Sequence, residues 1–418
     1  MSIPVASSTK RSFAAVLVMA AILLAACTSA AAPSQSPVGR IPAPTIGSDV
    51  SSPAPSATPA PSVKPFPSPT PAPAVWSKPR LIVAGGCMSL RGGIDAAGGE
   101  HLVADCFGGL LYASAKADGK WTSHNFPVAE DRLDQDPMLG FEGNVAFFAW
   151  SRLAVEEGGC GDDGLKDIGV FYRTRTLPSG AWSEPSQIGR ADDQLRGFRV
   201  DGSTLHAIVQ MNGDGPYAYI VVKGGAGSRF ALPNVTGGVS LRVGSDGRAR
   251  IAYESNASIK LATFTGSGFS VETVPGKAMH DPVLVLDAND NAHVMYLRTS
   301  IYSGGMGCID NGELDPNRGL FYTTNAGGSW KSDRMTRNLG AASFELDRAT
   351  GQIHAVITSD GTLTYFTKAS GGTWQSRKLV GKDAMDAVIA RDATSGRIVI
   401  LYDSMSETKP GIYRIAKG

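Results

Sequence analysis

The feature that most restricts how this chain can fold is a unit repeated seven times between Trp76 and the C-terminus. Each unit reads as an apolar strand, a turn of Asp, Asn or Gly, a second apolar strand, a loop, a third strand, a glycine-rich turn and a fourth strand. First strands are predicted at Ser89–Asp95, Asp136–Glu142, Arg196–Asp201, Val239–Asp246, Asp281–Asp287, Ala342–Asp347 and Asp386–Asp392. A period of about 40–60 residues with four short strands in each is the pattern of propeller blades. The expected fold is therefore all-β, a seven-bladed β-propeller of four-stranded blades. The last unit stops after its third strand, Gly411–Ile415, and Trp76–Val83 precedes the first complete unit. That N-terminal strand is expected to complete the last blade, because a closed ring leaves few free strand edges.

The residues ahead of the repeat have another character. Lys10 and Arg11 precede an apolar run from Phe13 to Ala26 that is too short for a membrane-spanning helix and has the length of a signal peptide. The run ends in Leu24-Ala25-Ala26-Cys27, which resembles the lipobox of bacterial lipoproteins. The resemblance implies that Cys27 is acylated and becomes the mature N-terminus. Thr28 and Ser29 follow, with no Asp of the kind that retains such proteins on an inner membrane. From there to about Val75 the chain is Pro, Ala, Ser and Thr with almost no large apolar residue, so it cannot bury a core. At up to ~3 Å per residue such a linker reaches on the order of 100 Å. Residues 1–26 are thus expected to be a lipoprotein signal peptide, 27–75 a lipid anchor with a disordered linker, and 76–418 the propeller. The protein is expected outside the cell, anchored by lipid to the outer face of a bacterial membrane.

A formal net charge of +1, without any basic block, argues against nucleic acid as a partner. Thr323-x-Asn325-x-Gly327-x-Ser329-Trp330 resembles the Asp-box, the bacterial neuraminidase repeat, and Thr367-x-Ala369-x-Gly371-x-Thr373-Trp374 is a weaker copy. The resemblance implies a sialidase-like propeller in which the box is structural and sits on the hairpin between third and fourth strands. Sialidases of this fold are similar in carrying an arginine two residues before a proline on an inner strand. Gln135-Asp136-Pro137 and His280-Asp281-Pro282 occupy that place without the arginine, so a three-arginine carboxylate clamp does not carry over.

Asp136, Asp281 and Asp386 open three first strands, where the resemblance puts the mouth of the channel. Carboxylates there suit acid/base work on a glycosidic bond; equally, each can cap its strand through backbone amides. Arg91, Arg152, Arg196 and Arg298, with His280, form the expected ligand-binding set, since guanidinium pairs with anions in bidentate fashion. The same arginines also suit structural salt bridges. His206, His293 and His354 recur at one repeat position in different blades and so do not converge on one metal. The most distinctive loops are Cys160-Gly-Asp162-Asp163-Gly164-x-x-Asp167 and Cys308-Ile-Asp310-Asn311-Gly312-x-x-Asp315. Asp162, Asp167, Asp310 and Asp315 are the candidate metal ligands there, and Ca²⁺ is the ion that such oxygen-rich turns suit. No other cofactor is required.

Four cysteines in an exported body are expected to be oxidised. Cys87 and Cys106 flank one hairpin, leaving Cys160 for Cys308; the alternative pairs Cys106 with Cys160 and Cys87 with Cys308. The reading that follows is a surface-tethered, monomeric, non-catalytic propeller that binds an extracellular glycan or protein at its loop-bearing face. The alternative is a sialidase-like exo-glycoside hydrolase using carboxylates and arginines at the mouth.

Overall fold

The structure, a computed structural model, describes residues 75–106, 109–116, 119–155, 165–299 and 316–418. These residues form 28 strands in seven antiparallel sheets of four, with no helix among them. The chain is a seven-bladed β-propeller. Innermost strands, in blade order, are Cys87–Ile94, Arg132–Glu142, Asp193–Asp201, Val239–Val243, Met279–Leu286, Ala341–Asp347 and Ala384–Arg391. They stand around a central channel. Six of them begin earlier than the sequence suggests, among them Arg132 rather than Asp136, Met279 rather than Asp281, and Ala384 rather than Asp386. The bulge at or beside each aspartate hid the extension, because an interrupted ladder breaks the alternating pattern that marks a strand.

Blade 7 is closed from the other end of the chain, as expected. Arg80–Ala84 pairs antiparallel with Gly411–Lys417, Arg80 opposite Arg414 and Ala84 opposite Gly411, and Trp76 adds a bridge to Lys417. A buried ionic cluster backs this closure. Glu100 of blade 1, 1% exposed, accepts two hydrogen bonds from Arg414 of blade 7, at 2.5 and 2.6 Å. Arg397 of blade 7 pairs with the same carboxylate and donates to the Gly98 carbonyl at 2.9 Å.

The core is divided among the seams. Seven hydrophobic clusters each join two consecutive blades, such as Tyr112 and Phe126 with Phe148 and Trp150 between blades 1 and 2. A sheet apolar on both faces must be covered twice, and the ring does so by packing every blade against two others.

Four of the seven seams share one device. A second-strand histidine meets a third-strand tyrosine hydroxyl through Nδ1: His101–Tyr112, His206–Tyr219 and His354–Tyr365 at 2.6 Å, His293–Tyr322 at 2.5 Å. Burial holds all four imidazoles below their ordinary pKa, so they are neutral at pH 7. An aromatic ring from the next blade then meets the tyrosine edge-on: Trp182 on Tyr112 at 4.9 Å, Trp374 on Tyr322 at 5.6 Å, Trp76 on Tyr365 at 4.8 Å. Phe269 takes that place against Tyr219. The histidines are therefore interior struts, one in each of four blades, and they lie in separate seams.

Gly109, Gly169, Gly319 and Gly411 lie at or near the start of third strands with φ of 133, 128, 147 and 153°. At Gly319 an added Cβ lies 2.2 Å from the Thr336 carbonyl oxygen, so only glycine lets the fourth strand approach. In the Asp-box hairpin Asn325 Oδ1 accepts from the Ala292 amide at 2.8 Å, tying the turn to the second strand. Of its two glycines only Gly328 has positive φ, 77°. Trp330 is half-buried over the seam between blades 4 and 5.

Candidate binding site at the channel mouth

Five inner strands carry one extra residue close to their beginning. The irregularities lie at Ser89-Leu90, Asp136-Pro137, Arg196, Asp281-Pro282 and Met385-Asp386. Ser89, Asp136 and Asp281 take positive φ, 52, 53 and 49°. Such a bulge bends the strand and re-aims a side chain. Here it moves polar residues out of the apolar seams and to the channel opening. Ser89, Arg91, Arg196, Asp281 and Asp386 line a cavity of about 750 Å³.

One half of the mouth is a linked arc of charge. Arg196 Nη1 stands 3.5 Å from Asp136 Oδ2. Its Nε donates to Gln210 Oε1 at 3.0 Å and its Nη2 to Gln194 Oε1 at 2.6 Å. Gln194 in turn donates to Asp167 at 2.8 Å, so Arg196 is held from three sides. Burial pushes the Asp136 carboxyl up, opposed by Arg196 and Arg91. Asp386 accepts from the Leu90 amide of blade 1 at 3.2 Å; burial raises it too, against the pull of Arg91. Beside these two, burial pushes Asp105 up to about 6, with Asp136 and Asp134 adding to it. Asp403 is likewise pushed up to about 6 by burial, with Asp386 opposing its ionisation. Across the ring, His280 Nδ1 meets Glu254 at 3.0 Å, which raises the imidazole pKa. Asp281 lies next to that pair, open to the channel on one side, and is raised by the protein around it and by Glu254.

The expected ligand set thus divides. Arg91, Arg196, Asp136, Asp281, Asp386 and His280 are at or beside the mouth. Arg152 belongs to a structural pair: its Nε and Nη2 donate to the two oxygens of buried Asp134, both at 2.6 Å, and the guanidinium stands 5.0 Å from the Phe171 ring. Arg298 sits over the Phe321 ring within blade 5, at 5.9 Å, and does not line the cavity. Of the metal candidates only Asp167 lies among the described residues; Asp162, Asp310 and Asp315 lie outside them. Cys87 and Cys106 are bonded, directly opposite in register with Cα atoms 4.1 Å apart, whereas Cys160 and Cys308 lie outside the described residues. Sequence reasoning passed over Gln194 and Gln210, which fix Arg196, and over Asp105, Glu254 and Asp403. A polar residue near the end of an apolar second strand is the signal that all but Gln194 share.

No protein-family model matches the chain, and no curated protein matches it by sequence. Solved structures do match it in fold. Hydrazine synthase of Kuenenia stuttgartiensis aligns over 80% of this chain and 96% of its own with a TM-score of 0.53 at 10% identity. An ulvan lyase of polysaccharide lyase family PL25 aligns over 80% and 94%, with a TM-score of 0.53 at 10% identity. A Trypanosoma rangeli sialidase aligns over 80% of this chain and 55% of its own, with a TM-score of 0.46 at 8% identity. At these identities the likeness is one of fold, and the β-propeller expected from the repeat is the fold found.

Proposed function

We propose that the chain is a non-catalytic binding propeller, tethered to the cell surface through acylated Cys27 and its linker, that takes an extracellular glycan or protein at the channel mouth. One observation carries this reading: Asp136, Asp281 and Asp386 stand on separate blades, 2, 5 and 7, and none of the three carboxyls acts on another. A pair of carboxylates working on one bond needs separations of about 5–10 Å. A ring of acids, arginines and a histidine around an opening offers many modest polar contacts, which suits recognition. A glycan array combined with a broad glycosidase and lyase screen tests it. Binding without turnover, weakened by Arg196→Gln, is the expected result; release of sugar from any substrate overturns the non-catalytic reading. Cys27→Ser is expected to move the protein from the detergent phase to the aqueous phase, and unchanged partitioning refutes the anchor.

The hydrolase reading has its own support in Asp105 and Asp403. Carboxyls held near 6 by burial and a neighbouring carboxylate are suited to general-acid work. Were an activity found, Asp403→Asn abolishing it while leaving binding intact would assign the acid.

A further inference from the structure

Below the mouth the channel wall changes character. Arg199, Arg242 and Glu345 occupy one level of the inner strands of blades 3, 4 and 6, opposite second-strand residues His206, Arg250 and His354. All three line the cavity, with Arg91 of blade 1 just above. Among the described residues, neither Arg199 nor Arg242 has a carboxylate within the 4.0 Å of an ion pair. Each guanidinium donates from Nη1 to the carbonyl of the residue before it, Phe198 at 2.8 Å and Leu241 at 3.0 Å. Arg91 does the same to Leu90 at 2.9 Å. Three cations that donate back to their own strands are held in place without a carboxylate in direct contact, though Asp136 and Asp386 act on Arg91, and Glu345 on Arg199 and Arg242, through space. Glu345 is the one carboxylate at their level, and it too has no ion pair among the described residues.

The electrostatics agree with that geometry. Burial pushes Arg199 down to about 9, with Arg242 and Arg91 repelling it and Glu345 opposing the effect. Arg242 is lowered by burial as well, again with Glu345 opposing. Both remain charged at neutral pH. Partial exposure to the channel is their remaining access to water. Uncompensated guanidinium charge walled in by protein is costly, and the planar forks of two neighbouring arginines suit the oxygens of an oxyanion.

We infer that the central channel binds a small oxyanion, a carboxylate or sulfate-type group, between Arg199 and Arg242, with Arg91 contributing charge from above. The site lies deeper in the cavity that opens at the mouth, shares Arg91 with it, and does not rest on the function proposed there. The cavity is several times larger than an inorganic anion, which leaves room for a small organic acid. Glu345 bounds the site on the far side and repels the ligand, so it sets an upper limit on affinity.

Calorimetric titration and thermal melting of the full chain test this with sodium sulfate, sodium succinate and, as control, sodium chloride at matched ionic strength. Saturable binding and stabilisation by sulfate or succinate, and not by chloride, are expected; which of the two binds more tightly assigns the group. Arg199→Gln and Arg242→Gln should each weaken binding at least about tenfold, the value of one lost charge-assisted pair in a desolvated site. Glu345→Gln should tighten it several-fold. The opposite signs separate a ligand site from a merely structural cluster, in which all three changes act alike. If the arginine variants do not fold, Glu345→Gln decides: unchanged or weaker anion binding overturns the inference, as does the absence of saturation in the unaltered chain.

Discussion

Glu100 is surrounded by two arginines, Arg397 and Arg414, inside the seam between blades 7 and 1. Removing its charge leaves both guanidiniums buried without their carboxylate, a change that costs about 3–5 kcal/mol when a buried pair is broken. Glu100→Gln is expected to lower the denaturant midpoint accordingly, with an unchanged m-value; a loss under about 1 kcal/mol would show the pair to be solvent-screened. His354 gives a test of a different kind. Burial, with Lys417 and Arg391, holds its imidazole down to about 4 against an ordinary 6.5. Below pH 6.5 the unfolded chain takes up a proton that the folded chain refuses. This histidine therefore subtracts stability as pH falls toward 4, by up to about 3 kcal/mol, and contributes no such penalty above 6.5. The stability gap between the unaltered chain and His354→Gln should narrow by that amount between pH 7 and pH 4. A gap independent of pH would mean the imidazole is not excluded from water. At this scale the sequence was only partly legible. It placed the recurring histidines at one position in different blades, but their tyrosine partners lie 11 to 29 residues away and become neighbours only through strand pairing. The two arginines of the channel were invisible as a pair for the same reason: Arg199 and Arg242 stand in different blades, and only the ring brings them to one level.

The hairpins and bulges show where local sequence decides structure and where it does not. Third strands were readable because Gly-Leu-Leu-Tyr112, Gly-Leu-Phe-Tyr322 and their relatives repeat a glycine at the point where the fourth strand comes closest. Gly319→Ala places a side chain at positive φ and against a backbone carbonyl, so it is expected to cost well over about 1 kcal/mol. Thermal melting measures it, and a neutral substitution would mean the strand can shift. Trp374 closes the weaker copy of the box and is half-buried against Tyr322 of the preceding blade. Trp374→Ala should cost about 2–3 kcal/mol, below the 3–5 expected of a fully buried ring. Trp374→Phe should recover most of that loss, because the edge-on contact persists. The bulges are the opposite case. Asp136-Pro137 and Asp281-Pro282 looked like strand beginnings, since proline lacks an amide and usually marks an end. In the structure the strand is already three or more residues old at Asp136, and the proline sits where the ladder is interrupted. A bulge depends on what the partner strand offers opposite it, and no single segment carries that information.

At the scale of the ring, seven seams share the core, and no blade has a core of its own. Blade count and closure were legible because both follow from arithmetic on the repeat, one strand missing at the end and one spare at the beginning. The channel's chemistry was not, because it is set by how seven inner strands are phased against one another. Closure has a measurable consequence. Removing residues 76–84 takes the outer strand from blade 7, leaves the edge of Gly411–Lys417 unpaired, and lifts Trp76 from Tyr365 in the seam between blades 6 and 7. An open edge both invites strand addition by another copy and lets the ring unzip from the seam it no longer holds. The shortened chain is expected to melt at lower temperature, over a broader range, and to aggregate near its transition. Removing residues 28–70 instead takes away a segment whose Pro/Ala/Ser composition gives it few large apolar side chains with which to cover a seam. That variant should melt as the full chain does, in one transition at an unchanged midpoint. Identical melting of both shortened chains would show that the outer strand is an ornament on blade 7, and that the ring is held by its seams and the Glu100 cluster alone.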